Sequence, residues 1–255
     1  TGIGEVGADL QGQRAPYQDG DNYVSTVLNP RYINLEGSFT ETDKVGIRKL
    51  RSQLTRTCNP KLGLGKITLE LDGNIKEIRG ALDGVPVLPE RGGNPYQSFM
   101  ITWKCPNPYW QSESITEEPT FEGLFNFPFE GEFEMGIQRD KRIINNDGDA
   151  PAPPRVEFHG PALNPVIINN TTGEFIKINQ ELLEGERMMI DTSDNEKSVY
   201  FVTESGERRN VFNWIDLDST FFKIEVGENE IEYKADSNIQ GAVVNISYSK
   251  LYTAV

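Results

Sequence analysis

The chain has 255 residues and a formal net charge of −14. This charge has the wrong sign for a protein that holds nucleic-acid phosphates by releasing counterions, so nucleic-acid binding is disfavoured as its main task. No apolar run approaches the roughly 18 residues of a membrane span. No charged and then apolar leader opens the chain, which predicts a soluble protein without an export signal. The length exceeds the roughly 100–200 residues of one domain and predicts two domains.

The N-terminal segment predicts an arm followed by two strands. Residues 1–22 are rich in Gly, Asp and Gln, which is typical of a loose arm. The β-rich run 23–28 is closed by Asn29-Pro30 and predicts a strand. Residues 32–39 alternate apolar and polar side chains, which indicates a second, half-buried strand.

One long helix is predicted next, beginning near Thr40 or Thr42 and ending before Pro60. Its apolar residues recur at i, i+3 and i+7 and share one face: Ile47, Leu50 and Leu54. Its basic residues form a stripe at similar spacing: Lys44, Arg48 and Arg51. We interpret this stripe as a solvated face, and the alternative is a contact with an acidic neighbouring subunit.

A β-hairpin and a further strand complete the first α+β unit. Residues 67–71 alternate and meet the turn Asp72-Gly73-Asn74 before 75–82 returns, which is a strong hairpin signal. A loop rich in Pro and Gly runs from 84 to 95, and residues 99–104 form the last alternating strand. Residues 1 to about 110 therefore predict one unit that ends at Cys105-Pro106-Asn107-Pro108-Tyr109-Trp110.

The segment 111–133 is acidic and aromatic and loses any period. Five Phe are spaced through it: Phe121, Phe125, Phe127, Phe129 and Phe133. Exposed aromatic surface is costly to hydrate, so we expect a connector that packs against a domain or a partner. We count it with the first domain, which then spans 1–133.

Residues 134–255 predict an all-β second domain. Short strands follow one another at about 8 to 12 residues with Gly, Asn, Asp and Pro between them, which is typical of a β-sandwich. The predicted strands are 155–158, 166–170, 175–179, 187–190, 198–202, 221–226, 230–233 and 243–248.

No residue pattern predicts a catalytic, cofactor or metal site. His159 is the single histidine, so one chain cannot build a His cluster, and we expect a structural or surface role for it. The run 145–149 superficially resembles a calcium loop, but positions 6 and 12 of an EF-hand would fall on Ala150 and Val156. Cys58 and Cys105 are too few for a disulfide scaffold and predict two reduced, buried thiols. A hydrolase with a carboxylate pair stays a minor alternative.

Several motifs in a fixed order resemble one family. They are Asn59-Pro60, Gly63-Leu64-Gly65, the strand 94–104 ending in the C-P-x-P-Y-W pattern of 105–110, Ile144 to Pro154, Gly160 to Pro165, Asn169 to Gly173 and Val226 to Ile231. Together they resemble the distal tail proteins of long-tailed, non-contractile bacteriophages (siphoviruses) with Gram-positive hosts.

The resemblance implies a mainly β fold: an N-terminal α+β, ring-forming domain (a β-sandwich with one helix and a β-hairpin) and a C-terminal galectin-like β-sandwich. It implies a hexameric ring of this chain at the virion tail tip, assembled in the host cytoplasm. The ring would be a non-enzymatic hub between the tail-tube protein and the tail-tip, baseplate or receptor-binding proteins of host attachment. DNA would pass its lumen without specific binding, and neither a cofactor nor membrane insertion is implied.

The alternative function is a carbohydrate-binding β-sandwich module that contacts host cell-wall saccharides. Its candidate aromatic side chains are Trp214 and Tyr200, although Trp214 in a β-sandwich is more often a core residue.

Overall fold

The computed structural model describes residues 1–89, 96–117, 141–194, 196–236 and 244–255, and the backbone of 121–122, 137–138 and 243. The described residues form a mainly β structure with one α-helix, which confirms the predicted fold class. Contacts divide the chain into two compact units. Unit 1 comprises Thr1–Ser112 and Tyr252–Val255, and unit 2 comprises Glu113–Leu251.

Unit 1 begins with a two-stranded ribbon. Strand β1 (Ala8–Gln13) pairs antiparallel with β2 (Asn22–Leu28), with a bulge between Gln11 and Gly12. The prediction of a loose arm over 1–22 was therefore wrong for β1. Its Gly- and Gln-rich residues have little strand propensity of their own, and the strand exists because β2 pairs with it.

Strand β3 (Arg31–Thr40) leads into helix α1 (Lys44–Thr57). The predicted helix is present and begins close to Thr42, but its N-cap is Asp43 rather than Thr40 or Thr42, and the Asp43 Oδ1 accepts the Gly46 N–H at 2.6 Å. A carboxylate there also lies favourably against the positive end of the helix dipole.

The basic stripe of α1 is only partly exposed. Lys44 and Arg48 are exposed and Arg51 is half-buried. The helix ends as the Cys58 N–H donates to the Leu54 carbonyl, and a 3-10 turn covers Pro60–Leu62.

The predicted hairpin is confirmed. It consists of β4 (Gly65–Leu71) and β5 (Asn74–Leu82), joined by Asp72 and Gly73 at φ of 51° and 80°. Two successive positive φ values define the tight turn that suits the twist of paired strands, and Asp-Gly tolerates it. Strands β6 (Tyr96–Cys105) and β7 (Trp110–Ser112) complete a sheet in which β7, β5, β6 and β3 are neighbours in that order.

Unit 2 is built on two antiparallel sheets. Its strands are β8 (Ile115–Glu117), β9 (Phe121–Glu122), β10 (Ile137–Gln138), β11 (Lys141–Asn146), β12 (Arg155–His159), β13 (Ala162–Leu163), β14 (Val166–Asn169), β15 (Glu174–Lys177), β16 (Glu181–Leu182), β17 (Arg187–Asp191), β18 (Ser198–Val202), β19 (Arg208–Asn210), β20 (Gly227–Lys234) and β21 (Val243–Tyr248). Strand β22 (Leu251–Tyr252) then leads back to unit 1.

The strand order defines a sandwich. One sheet runs β11-β20-β14-β15 and the other β19-β18-β17-β12-β21-β8. Phe158 of β12 packs against Tyr233 of β20 with ring centroids 5.5 Å apart, so the two sheets bury their inner faces against each other.

Seven of the eight predicted strands of this region are present, and one is not. Residues 221–226 do not form a strand, since only Ile224 makes an isolated bridge, to Ala152. Phe125, Phe127, Phe129 and Phe133 lie outside the described residues, so the packed connector and the domain limits 1–133 and 134–255 stay predictions.

Candidate functional site: the assembly surface

The two units differ in where they place apolar side chains. Among the described residues, unit 2 buries 24 apolar side chains and exposes five large ones by more than about a third. Unit 1 buries only six and exposes sixteen. Scattered exposed apolar residues are normal on a monomer, but such an excess in the unit with the thinner core makes this unit the candidate for an interaction surface.

We call these sixteen side chains the assembly surface. They are Leu10, Tyr17, Tyr23, Val24, Val27, Tyr32, Leu35, Val45, Leu62, Leu64, Leu71, Ile75, Val85, Val87, Tyr96 and Met100. Five of them lie on the β1–β2 ribbon or on its connecting loop, and the rest lie on β3 to β6, the helix and the turns.

The ribbon is the most exposed part of this surface. All six residues of β1 and five of the seven in β2 are exposed. The register pairs Ala8 with Leu28 and Leu10 with Thr26, and two of the most exposed apolar side chains of the ribbon are Leu10 and Val24, with exposures of 70% and 60%. A two-stranded hairpin is marginally stable alone, so this ribbon gains stability when something covers it.

The predicted seam, 105–110, is fixed by a buried arginine in unit 1. The Arg31 side chain is 1% exposed and donates only to backbone carbonyls in its described contacts. Nε donates to Pro108 at 2.8 Å and Nη2 to Thr253 at 2.5 Å. Nη1 donates to Gly2, Ile3 and Glu5 at 2.8–3.0 Å. One guanidinium thus joins the N-terminal segment, the seam and the last residues of unit 1.

Two more seam residues reinforce this junction. Trp110 is buried and its Nε1 donates to the Ile3 carbonyl at 3.0 Å. Cys105 packs with Trp110, Ile33 and Ile78 in the core. Burial lowers the pKa of the Arg31 guanidinium, and burial raises the pKa of the Cys105 thiol while the Arg31 charge opposes that rise. The thiol is therefore protonated at neutral pH.

Sequence reasoning did not single out Arg31. The signal that the sequence offered was the alternation of side chains along β3, which places Arg31 on the same inward face as Ile33. A charged residue at an inward position needs hydrogen-bond partners.

Three buried asparagines stabilise the turn-rich motifs of unit 2. Asn146 donates to the Ala150 and Ile224 carbonyls and accepts the Gly148 N–H. Asn229, the third residue of β20, accepts the Glu225 N–H at 2.9 Å and donates to the carbonyls of Glu225 and Gly227, which fixes the bend that leads into this strand. Asn169 accepts the Thr171 N–H. Each side chain is fully buried and fixes a turn that would otherwise leave backbone groups unpaired.

The histidine and the two cysteines considered from the sequence do not come together in one site. His159 is half-buried, with Nε2 3.3 Å from Glu157 Oε1. Cys105 is buried as predicted, whereas Cys58 is only half-buried, and both thiols are free. The parts of the chain that the structure describes contain no group of three or more His, Cys, Asp or Glu placed to hold a metal ion. No helix among those residues is long and apolar enough to span a membrane.

Tyr200 and Trp214, the aromatic candidates for saccharide binding, lie on opposite sides of β18. Trp214 is half-buried and packs edge-on against Phe201, with centroids 5.4 Å apart. Tyr200, the preceding residue of the strand, points to the other face, where the Arg208 guanidinium lies 3.6 Å from its ring centroid. The two rings therefore cannot form one site.

Comparison with known proteins gives consistent matches. The Dit protein (gp 19.1) of phage SPP1 has a similar fold, with a TM-score of 0.69 and 10% identity over 98% of this chain and 90% of that one. Chains from two structures of the activated phage p2 baseplate, with Ca and with Sr, have TM-scores of 0.55 and 0.56. Both are 12% identical over 98% of this chain and 88% of theirs. At these identities the likeness shows a shared fold. A search of curated protein sequences finds no match.

The sequence of unit 2 carries the family signal. Residues 147–252 match the family described as siphovirus-type tail component, C-terminal domain. This span contains Asn169 to Gly173 and Val226 to Ile231, which are among the motifs that carry the resemblance. The resemblance to the siphovirus distal tail proteins is thereby confirmed.

Proposed function

We propose that this chain is the ring-forming hub of a siphovirus tail tip. Six copies associate through the first domain, within 1–133, and the second domain, 134–255, faces outward as a galectin-like sandwich. The ring joins the tail-tube protein to tail-tip, baseplate and receptor-binding proteins that attach the virion to a Gram-positive host. It assembles in the host cytoplasm, and its role is structural rather than enzymatic.

The uneven distribution of apolar surface carries this proposal. Unit 1 exposes sixteen large apolar side chains over a core of six buried ones, whereas unit 2 has the proportions of a self-sufficient domain. Burying apolar surface contributes roughly 25 cal/mol per Å², so association of unit 1 with neighbours is the favoured outcome. A closed ring also requires two different surfaces on each copy, since each subunit must bind a neighbour on either side.

The similar proteins support the hub role. The SPP1 protein is described as a paradigm of the hub adsorption apparatus in phages that infect Gram-positive bacteria, and the p2 chains come from a baseplate. The net charge of −14 is compatible with a lumen through which DNA slides without being held.

The test is the assembly state of the full-length chain, alone and with the tail-tube protein of its particle, by sedimentation and negative-stain electron microscopy. We expect rings, and we expect Leu10→Ser combined with Val24→Ser to reduce ring formation because it removes apolar surface from the ribbon. The matched control replaces two exposed apolar residues of unit 2, Ile143 (69% exposed) and Leu217 (100% exposed), with Ser.

The control variant should assemble like the parent chain. A chain that stays monomeric even with its tube partner contradicts the hub proposal. Equal losses in the ribbon and control variants would show that the apolar surface of unit 1 does not drive assembly.

A further inference from the structure

The outer face of the six-stranded sheet of unit 2 carries a groove of about 820 Å³. Side chains alternate along its strands, so Val156 and Ile190 point into the core while their neighbours point into the groove. Strand pairing sets the groove side chains in rows across the sheet. The first row reads Thr116, Ser247, Arg155, Asp191 and Ser198.

The second row lies two residues away from the first along each strand, and its side chains are also mainly polar. It reads Asn245, Glu157, Met189, Tyr200 and Asn210. The two rows extend from β8 to β19, and five strand spacings of about 4.8 Å make the groove roughly 24 Å long. Its volume is within the range of about 300–1,000 Å³ that is usual for ligand sites. The shape suits a chain-like ligand that lies across the strands.

The polar groups of the groove suit a ligand that both donates and accepts hydrogen bonds. Thr116, Ser198 and Ser247 supply hydroxyl groups, and Asn210 and Asn245 supply amides. Hydroxyls and amides each offer donors and acceptors at one point, which is the pattern that a polyhydroxylated ligand presents in return. Because their backbones belong to paired strands, these groups are held in place before a ligand arrives.

The charges of the groove are balanced and partly paired. It is lined by three cations and three anions: Arg155, Lys197, Arg208, Glu157, Asp191 and Glu196. Arg155 Nε lies 2.7 Å from Asp191 Oδ2. Burial alone would raise the pKa of Asp191, but the Ser193 hydrogen bonds and the Arg155 guanidinium outweigh it and lower the pKa. The pair is therefore ionised at neutral pH, and the groove has no excess positive charge to hold a phosphate or sulfate chain.

One planar surface lies at the β19 end. The Arg208 guanidinium carbon lies over the Tyr200 ring, 3.6 Å from its centroid, and both side chains line the groove. A flat guanidinium over a ring offers a surface for the C–H face of a sugar ring and N–H donors at its edge. An added peptide strand would not fit here, because the backbone groups of the inner strands already pair with one another.

From these contacts we propose that the groove is a binding site for a neutral saccharide chain. The hydroxyl and amide rows bind sugar hydroxyls, the Tyr200–Arg208 stack supports one sugar ring, and the Arg155–Asp191 pair presents a fixed donor and acceptor. This site is separate from the assembly surface, which lies on unit 1, and it does not depend on ring formation.

The test is saturation-transfer NMR and titration calorimetry on the full-length chain. The probes are neutral hexasaccharides of glucose, N-acetylglucosamine, galactose and rhamnose, with dextran and dextran sulfate as a pair that differs only in charge. We expect millimolar binding of at least one neutral probe and weaker binding of dextran sulfate than of dextran. The absence of a response to every neutral probe at about 10 mM, tenfold above a millimolar Kd, would overturn the proposal.

Matched variants locate the site. Arg208→Ala and Asn245→Ala should each weaken binding about fivefold, the factor that one lost hydrogen bond of typical strength gives. Arg209→Ala is the control, because Arg209 is the next residue on β19 and its guanidinium lies toward Trp214, on the other face. Equal weakening by Arg208→Ala and Arg209→Ala, or tighter binding of dextran sulfate, would show that the binding seen is not at this groove.

Discussion

Replacing Arg31 by Met should destabilise unit 1 and leave unit 2 unchanged. Met has a similar length and fills much of the same space, so the change removes the charge and the five hydrogen bonds while leaving little cavity. A hydrogen bond to a charged group contributes about 1.5 kcal/mol net at the lower end of measured values. Because Nη1 shares two hydrogens among three carbonyls, the contacts amount to about four full hydrogen bonds and roughly 6 kcal/mol, from which the cost of guanidinium burial must be subtracted.

We therefore expect the free energy of unfolding of unit 1 to fall by about 3–5 kcal/mol. The loss is large because five carbonyls, drawn from three separate segments, each lose a donor at once, and of these Ile3 keeps the Trp110 N–H. The free energy of unfolding of Arg31→Lys should lie between those of the parent chain and of Arg31→Met, since an ammonium has three donors and lacks the planar fork of a guanidinium.

Urea unfolding followed by tryptophan fluorescence measures this effect by unit. Trp103 and Trp110 belong to unit 1 and Trp214 to unit 2, so a Trp214→Phe background reports unit 1 alone. Arg48→Met is the control, because it makes the same change on an exposed position of α1 and should stay within about 0.5 kcal/mol. A loss below about 1 kcal/mol for Arg31→Met, or one equal to the control, would refute the role given to Arg31.

Three further perturbations address local features. Asn229→Ala should destabilise unit 2 by about 2–4 kcal/mol in urea unfolding, because three hydrogen bonds of a fully buried amide are lost; a change below about 0.5 kcal/mol would contradict this. Asp43→Ala should cost unit 1 about 1 kcal/mol while Thr42→Ala costs little, and the reverse order would disprove the assigned helix cap. Hydrogen bonds from Lys141 and Asn170 lower the pKa of Glu230, and bonds from Asn170 and Lys234 lower that of Glu232. Their stabilisation of unit 2 is complete above the ordinary pKa of 4.5 and is lost as pH falls through the lowered values. Thermal unfolding should show this loss as a Tm that falls with decreasing pH. A variant with both Glu230→Gln and Glu232→Gln whose Tm falls as steeply in acid as that of the parent chain would contradict it.

Local chemistry made some of the fold predictable from sequence. The Asp72-Gly73 turn specifies its hairpin, because two adjacent positive φ values accept few other residue pairs. The start of α1 was harder, since Thr40, Thr42 and Asp43 are all competent caps and only the path of β3 decides among them. Residues 221–226 have strand propensity but lack a neighbouring strand over most of their length.

The functional features depended on long-range contacts. The partners of Arg31 are backbone carbonyls up to 222 residues away, and carbonyls carry no residue identity that a pattern could reveal. The saccharide groove arises from rows that cross six strands, so no contiguous run of the sequence contains it. The sequence offers both Tyr200 and Trp214 as candidate aromatics, because it does not give the side of the sheet on which a 3-10 turn packs.

The discontinuity of unit 1 bears on the order of events during synthesis. Unit 2 occupies one continuous stretch, Glu113–Leu251, so every residue of its core has been made before Tyr252 is added. Unit 1 must wait, because Arg31 needs the Thr253 carbonyl and Lys76 packs on the Tyr252 ring at 3.9 Å from its centroid. The unit with the exposed apolar surface is thus the last to be completed on a nascent chain.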